Sequence, residues 1–154
     1  MDEKRIVVHN KSDKPDNIVE HEAEIFKECE DIEAELPLFL RGFFMYLRGN
    51  VLPMTRLAYL RDIKFFLEYL ISSTDHTEAK DIKNIKLGEF AKIKAVDVNI
   101  FIDYCRHYTV ETEGQITVYE NGSKSLARKK SSLSVMFKQL YRDELLEKNI
   151  TDGH

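Results

Sequence analysis

Apolar residues recur every three to four positions along most of this chain, in stretches separated by polar or glycine-containing breaks. Side chains at that spacing fall on one face of a helix, so each stretch predicts an amphipathic α-helix. The predicted helices cover residues 16–36, 38–48, 53–73, 97–108 and 123–141, with a short helical or irregular segment at 82–90. Residues 38–48 are apolar almost all round, and a helix of that kind must be covered on more than one side.

One stretch breaks the helical pattern. Residues 115–119 are rich in β-branched and aromatic side chains, and residues 120–122 carry a turn signal. We therefore expect one minor β strand or small hairpin near residues 115–122, leading into a last helix that Ser123 or Ser125 caps. The predicted fold class is all-α, a compact bundle of four to five helices with this single β element.

Charge is unevenly distributed along the sequence. The net charge is −4, yet residues 1–36 hold 5 Lys/Arg against 12 Asp/Glu and residues 37–154 hold 18 against 15, which gives balances of −7 and +3. An acidic leader thus precedes a mildly basic body. We predict an N-terminal extension over residues 1–34, partly disordered and then helical, in front of a domain over residues 35–149.

The last predicted helix concentrates the positive charge. No acidic residue occurs between Ser123 and Arg142. Its cations are Lys124, Arg128, Lys129, Lys130, Lys138 and Arg142. A helix that buries its apolar stripe presents these cations, with the hydroxyls of Ser131, Ser132 and Ser134, on its other side. Such a face suits a phosphate backbone, although an ordinary solvated basic face has the same composition.

The predicted helix over residues 53–73 is the second candidate surface. Arg61 and Lys64 lie one turn apart and away from its apolar stripe. Both could therefore reach a phosphate or a base edge. They could equally pair in water with the neighbouring carboxylates Asp62 and Glu68.

The sequence offers no catalytic or metal-binding motif. It has no Gly-rich phosphate loop, no GxSxG, no HExxH and no CxxC. The five histidines are scattered, and none lies at metal-site spacing from a cysteine. Cys29 and Cys105 lie far apart in helical patterns and are expected to be core thiols. We therefore expect no enzyme activity, no metal and no cofactor, and no apolar run is long enough to predict a membrane partner.

Three stretches, in their order and spacing, resemble the tyrosine recombinases of the phage integrase and Xer type. Residues 35–70 resemble the opening of the family's core-binding domain, where the pattern Thr-x-x-x-Tyr-x-x-Asp-(Leu/Ile)-x-x-Phe marks the first main helix. The residues in that pattern are Thr55, Tyr59, Asp62, Ile63 and Phe66. Residues 96–108 match more weakly, and residues 122–149 resemble the last main helix of the same domain. The matching residues there are Ala127, Arg128, Lys129, Ser131, Ser132, Leu133, Phe137, Leu140 and Asn149. Lys130 and Ser134 depart from the family's pattern.

The resemblance implies a SAM-like core-binding domain over residues 35–149 that lays two helices against duplex DNA. It implies that residues 150–154 begin the linker to a catalytic domain, although Ile150 replaces the proline that normally opens it. The family's tyrosine nucleophile and its Arg, Lys and His partners belong to that second domain, which this sequence lacks. The implied partners are double-stranded DNA at a recombination site, the catalytic domain and other recombinase protomers, in a bacterial cytoplasm. The isolated domain is expected to be monomeric.

The resemblance and the charge pattern together define a set of candidate DNA contacts. They are Thr55, Arg56, Arg61, Lys64, Arg128, Lys129, Lys130, Ser132 and Lys138. Cations of the last helix are expected to position the duplex through phosphates. Arg56 and Arg61 are expected to read base edges, because arginine can bind guanine through two hydrogen bonds. Tyr59 and Phe66 are expected in the core.

Two other functions are compatible with the same sequence. One is a helical protein-interaction module that docks through residues 38–47. The other is a stand-alone regulator that occupies recombination sites without cutting them. A salt-sensitive interaction with DNA separates the first of these from the recombinase interpretation.

Overall fold

The structure is a computed structural model that describes residues 16–152. In chain order the elements are α1 (Asp16–Glu35), a 3₁₀ turn (Leu38–Leu40), α2 (Arg41–Asn50), α3 (Pro53–Ser73), a second 3₁₀ turn (Ile82–Asn84), α4 (Leu87–Phe90), α5 (Ala95–Arg106), β1 (His107–Thr112), β2 (Gln115–Glu120) and α6 (Ser123–Arg142). The predicted mainly helical fold with one minor β element is therefore confirmed. The expectation of a disordered tail falls on residues 1–15, outside the described residues.

Helix α3 lies at the centre of the fold and packs against α1, α2 and α6. It can do so because apolar residues occur on several of its sides, and Phe66 is 1% exposed. The Phe66 ring lies edge-on to Phe101 of α5, with centroids 4.9 Å apart, and contacts Phe137 of α6 at 6.4 Å. Burying a side chain of this size contributes about 1.5–3 kcal/mol. Phe66 therefore joins three helices in one core, as the sequence predicted for it.

Helix α1 is the acidic part of the predicted N-terminal extension. Its buried residues Ile25 and Cys29 join the same apolar core as the helices that follow. Glutamates occupy its remaining sides, so the helix is amphipathic despite its charge. The helical part of the extension consequently packs onto the body formed by residues 35–149.

The hairpin of β1 and β2 extends the fold beyond α5. The sequence pattern predicted a helix through Tyr108, and this is wrong, because α5 ends at Arg106 and Tyr108 pairs with Tyr119 in the hairpin. The turn is formed by Glu113 and Gly114, both with positive φ (51° and 80°), as a two-residue type I′ turn requires. The Tyr108 and Tyr119 rings stack with centroids 5.1 Å apart.

The start of α6 also differs from the prediction. The N-cap position is Gly122, and no side chain of residues 16–152 caps the helix. The Ser125 hydroxyl instead donates to the Asn121 side-chain oxygen at 2.9 Å, and the Asn121 amide donates to the Cys105 carbonyl at 2.7 Å. These bonds connect the beginning of α6 to the end of α5, which fixes the direction in which the basic helix leaves the hairpin.

Both cysteines are buried free thiols, as expected for core residues. Burial raises the pKa of Cys29 above its ordinary value and raises the pKa of Cys105 to about 12. A thiol with so high a pKa stays protonated at neutral pH and is a poor nucleophile or metal ligand. A structural role in the core is therefore sufficient to explain both cysteines.

Candidate nucleic-acid interface

Helix α6 has one apolar face and one basic face. Its apolar residues, among them Leu133 and Phe137, are buried against the core. Lys124, Ser131 and Lys138 lie in one exposed column, because residues seven positions apart are two helical turns apart. Arg142 continues this column to the end of the helix, over a length of about 27 Å.

The cations on this exposed face are not neutralised by any residue that the structure describes. Lys124, Lys130, Lys138 and Arg142 make no ion pair with any residue of the described range 16–152. The helix also contains no acidic residue of its own. With no partner in the described range, these cations are open to counterions from solvent, and a phosphate backbone that replaces such ions gains the entropy of their release.

Hydroxyl and amide groups flank the basic column. A groove of about 480 Å³ runs between α5 and α6. Its lining includes Tyr59, Asn99, Lys130, Ser131 and Ser134. Such groups donate hydrogen bonds to phosphate oxygens. This side of α6 thus offers both positive charge and neutral donors.

A buried carboxylate fixes α6 to α3. The Arg128 guanidinium donates to both oxygens of Asp62, through Nε at 3.0 Å and Nη2 at 2.8 Å. Asp62 is 3% exposed, whereas the side chain of Arg128 remains 45% exposed at the edge of the basic face. The hydrogen bonds to Asp62 raise the pKa of Arg128 further above its ordinary value. One carboxylate therefore orients an arginine that is still open to a ligand.

Lys129 and Ser132 lie in the interior, which corrects their predicted place on the exposed face. Lys129 Nζ lies 3.2 Å from Asp62 and 5.4 Å from the centroid of the Phe65 ring. The Ser132 hydroxyl donates to the Lys129 carbonyl at 2.8 Å. Both residues fall on the side of α6 that also carries Leu133, so the helical period turns them towards α3. The structure thus places these two candidates in the fold rather than on the surface.

The candidate cations of α3 are paired with carboxylates of α1. Arg61 donates to Glu28 at 2.8 Å, and Lys64 lies 2.6 Å from Glu35. The predicted alternative, pairing with Asp62 and Glu68 in water, is therefore wrong, because the partners come from another helix. The Asp62 carboxylate pairs instead with Arg128 and Lys129 of α6.

Arg56 and Thr55 do not form an open groove-binding surface. The side chain of Arg56 is 4% exposed, and its guanidinium donates to Glu33 at 2.8 Å. Arg56 Nε is buried without a hydrogen-bond partner among the described residues. Thr55 is half-buried. Buried in this way, Arg56 cannot reach a base edge unless α1 moves.

The structure therefore separates the predicted contacts into two groups. In the first group each side chain is buried, half-buried or paired with a carboxylate of the protein, and its members are Thr55, Arg56, Arg61, Lys64, Lys129 and Ser132. The second group is accessible. Lys130, Lys138 and the edge residue Arg128 lie on one accessible face of α6. Lys124 and Arg142 belong to the same face, and sequence reasoning omitted them from the candidate contacts. Their spacing from Lys138, two steps of seven and one of four, was the signal that could have placed them there.

Comparison of the chain with known protein families, curated proteins and solved structures gave no match. Within residues 16–152, no group of three or more His, Cys, Asp or Glu side chains is arranged to hold a metal ion. None of the helices in that range combines the length and the apolar character needed to cross a bilayer. The resemblance to tyrosine recombinases stays a prediction from the sequence.

Proposed function

We propose that this chain binds double-stranded DNA through α6, as the N-terminal, core-binding half of a tyrosine-recombinase clamp. The observation that carries the proposal is the exposed face of α6, where four cations lie without an acidic neighbour on the helix or an ion-pair partner in the described range. A face of this kind binds phosphates by releasing counterions. The proposed fold is the SAM-like helical bundle that the resemblance implies.

One contact supports the link between the resemblance and the surface. Asp62 belongs to the pattern in the first main helix, and Arg128 belongs to the pattern in the last. Their side chains bond to each other across 66 positions of sequence. Two of the three stretches that carry the resemblance are therefore in direct contact, as expected if they act together.

In the proposed mechanism the chain holds the duplex and does no chemistry. Lys124, Lys130, Lys138 and Arg142 contact phosphates, and Ser131 and Ser134 donate to phosphate oxygens. These contacts set the position of the duplex but carry no sequence information. Cleavage and joining belong to the catalytic half of the clamp, so this chain by itself is expected to leave no covalent product on a suicide DNA substrate.

The test is a DNA titration with matched charge variants. Lys130→Ala with Lys138→Ala should weaken binding to a fluorescent duplex and flatten the slope of log affinity against log salt by roughly 0.9 for each phosphate that the protein no longer neutralises. The control is Lys80→Ala with Lys92→Ala, which removes two exposed lysines outside α6. Equal losses in the two variants would show that net charge explains binding and would exclude α6 as the interface. Selection of bound duplexes from a random pool would then measure sequence preference.

A specific observation favours one second candidate, a protein-interaction module. Leu38, in the 3₁₀ turn before α2, is 73% exposed, and Met45, in α2, is 66% exposed. They line a groove of about 500 Å³ together with Phe39 and Leu145. Exposed apolar side chains that border a groove are typical of protein docking sites. A module that works only through this surface would show no salt-dependent binding to the duplex.

A further inference from the structure

Helix α1 carries an unusual amount of negative charge and lies against the cations of α3. Between Asp16 and Glu35 the sequence contains nine Asp/Glu and one Lys. Three of its glutamates contact α3. The pairs are Glu28 with Arg61 at 2.8 Å, Glu33 with Arg56 at 2.8 Å, and Glu35 with Lys64 at 2.6 Å. Every α3 cation that the sequence assigned to DNA thus has a carboxylate of α1 as its partner.

The last turn of α1 engages one more cation. Lys83 Nζ donates to the Ala34 carbonyl at 2.8 Å. Carbonyl groups at a helix C-terminus attract cations, as phosphate oxygens do. Together with Arg48, which lies 3.4 Å from Glu33, five positive side chains from outside α1 therefore contact this helix within the described residues.

The three pairs between α1 and α3 differ in how easily another anion can replace the glutamate. Two of them, Arg61–Glu28 and Lys64–Glu35, are the outer pairs and are exposed to water. Arg61 and Glu28 are 60% and 53% exposed, and Lys64 and Glu35 are also open to water. Exposed pairs of this kind contribute little to stability. The Arg56–Glu33 pair is buried and acts as part of the packing. Because Ile25 and Cys29 anchor α1 in the core, the outer pairs can open without loss of the helix.

We infer that α1 is a built-in competitor for DNA, whose Glu28 and Glu35 carboxylates hold the positions beside Arg61 and Lys64 that phosphate oxygens would take. The inference rests on the proposed DNA binding by α6 and adds a second, restrained phosphate-binding surface on α3. DNA held by α6 must displace these carboxylates before it can use Arg61 and Lys64. The affinity of the full chain is therefore lower than its cations alone would allow.

The experiment compares two pairs of substitutions in the full chain. Glu28→Gln with Glu35→Gln frees the two α3 cations while keeping the size of each side chain. Glu24→Gln with Glu30→Gln makes the same change in charge on the same helix, at exposed positions without an ion pair to α3. Binding to a fluorescent mixed-sequence duplex is measured by anisotropy over a series of salt concentrations.

The first variant should bind several-fold more tightly than the control variant, and its salt slope should steepen by roughly 0.9 for each additional phosphate that the protein neutralises. Adding Arg61→Ala and Lys64→Ala to it should abolish the increase in affinity, whereas the same two changes in the unmodified chain should have little effect. Circular dichroism and thermal melting check that each variant is folded. Glu28→Gln alone, at an exposed pair, provides a second variant that should show part of the increase.

Three results would overturn the inference. One is an equal increase in affinity in the two variants, which overall charge would explain. Another is an increase that persists without Arg61 and Lys64. The third is unchanged affinity in the first variant while the chain still binds DNA. If Lys130→Ala with Lys138→Ala weakens that binding more than Lys80→Ala with Lys92→Ala does, the α6 interface stands and only the competitor is rejected. If neither the unmodified chain nor any variant binds the duplex, the proposed function falls with the inference.

Discussion

Arg128 on α6 forms two hydrogen bonds with the carboxylate of Asp62 on α3, at 3.0 and 2.8 Å. Lys129 reaches the same carboxylate at 3.2 Å, so two cations share one buried anion. The paired arrangement of guanidinium and carboxylate is the geometry in which such bonds are strongest. These bonds hold α6 against α3, so substitutions at the bonded residues should lower the free energy of unfolding.

Removal of the Asp62 carboxylate should destabilise the protein strongly. Asp62→Ala leaves Lys129 buried without an anion, and breaking a buried pair by removing one partner costs about 3–5 kcal/mol. Glu68→Ala, at an exposed position on the same helix, should change stability by no more than about 0.5 kcal/mol. Urea unfolding measures both. A small effect at Asp62 would show that Lys129 finds water or another partner.

A double-mutant cycle should show that Asp62 and Arg128 are coupled. The double variant Asp62→Ala with Arg128→Ala should be less destabilised than the two single changes added together, by about 0.5–3 kcal/mol. The reason is that the second substitution removes a bond the first has already broken. Additive effects would mean that the two hydrogen bonds contribute little in solution.

Two double substitutions on α6 should differ in their effect on the stability of the protein. Arg128→Ala with Lys129→Ala removes both partners of buried Asp62 and should cost several kcal/mol, about 3–5 by analogy with other buried pairs. Lys130→Ala with Lys138→Ala removes exposed charges and should stay within about 0.5 kcal/mol of the unmodified chain. Thermal melting distinguishes them. Equal stability of the two variants would contradict the buried position of Lys129.

The hairpin turn should depend on the positive φ of its second residue. Gly114 has φ of 80°, and a residue with a Cβ in a left-handed conformation costs roughly 1–2 kcal/mol. Gly114→Ala should therefore speed amide exchange in β1 and β2, with little change in the helices. Glu113→Asn should slow the same exchange, because asparagine followed by glycine suits a type I′ turn. Uniform changes across the protein would show that the hairpin and the helices unfold together.

Stability should decline at high pH partly through Cys105. Its folded pKa of about 12 lies above the ordinary thiol value of 9.0, so the folded state favours the protonated thiol. This contribution is complete below about pH 9 and is lost as the pH rises from there towards the folded pKa, at no more than about 1.4 kcal/mol per pH unit. Cys105→Ala should remove it. The measurement is the difference in urea stability between the two proteins, followed upwards from about pH 8. Because both proteins retain the tyrosines, a change in this difference with pH reports on the thiol alone. A constant difference would refute the contribution of Cys105.

Much of the secondary structure was predictable because helices depend on local patterns. The α3 bounds of Pro53–Ser73 coincide with the predicted stretch, in which proline opens the helix and a continuous apolar stripe follows. Tyr108 was misplaced because it continues the apolar spacing of α5. Its true state depends on pairing with Tyr119, eleven positions further along the chain.

The sequence by itself determined the helical class, the concentration of charge at the two ends of the chain and the basic character of α6, since each follows from residue type and spacing alone. The tertiary structure decided which cations are accessible. Lys129 and Lys130 are adjacent in sequence, yet one binds buried Asp62 and the other is exposed, because successive residues of a helix point about 100° apart and α3 covers only one of those directions. Arg61 and Lys64 meet their carboxylates only after α1 has packed on α3, and no local pattern specifies contacts between residues more than twenty positions apart.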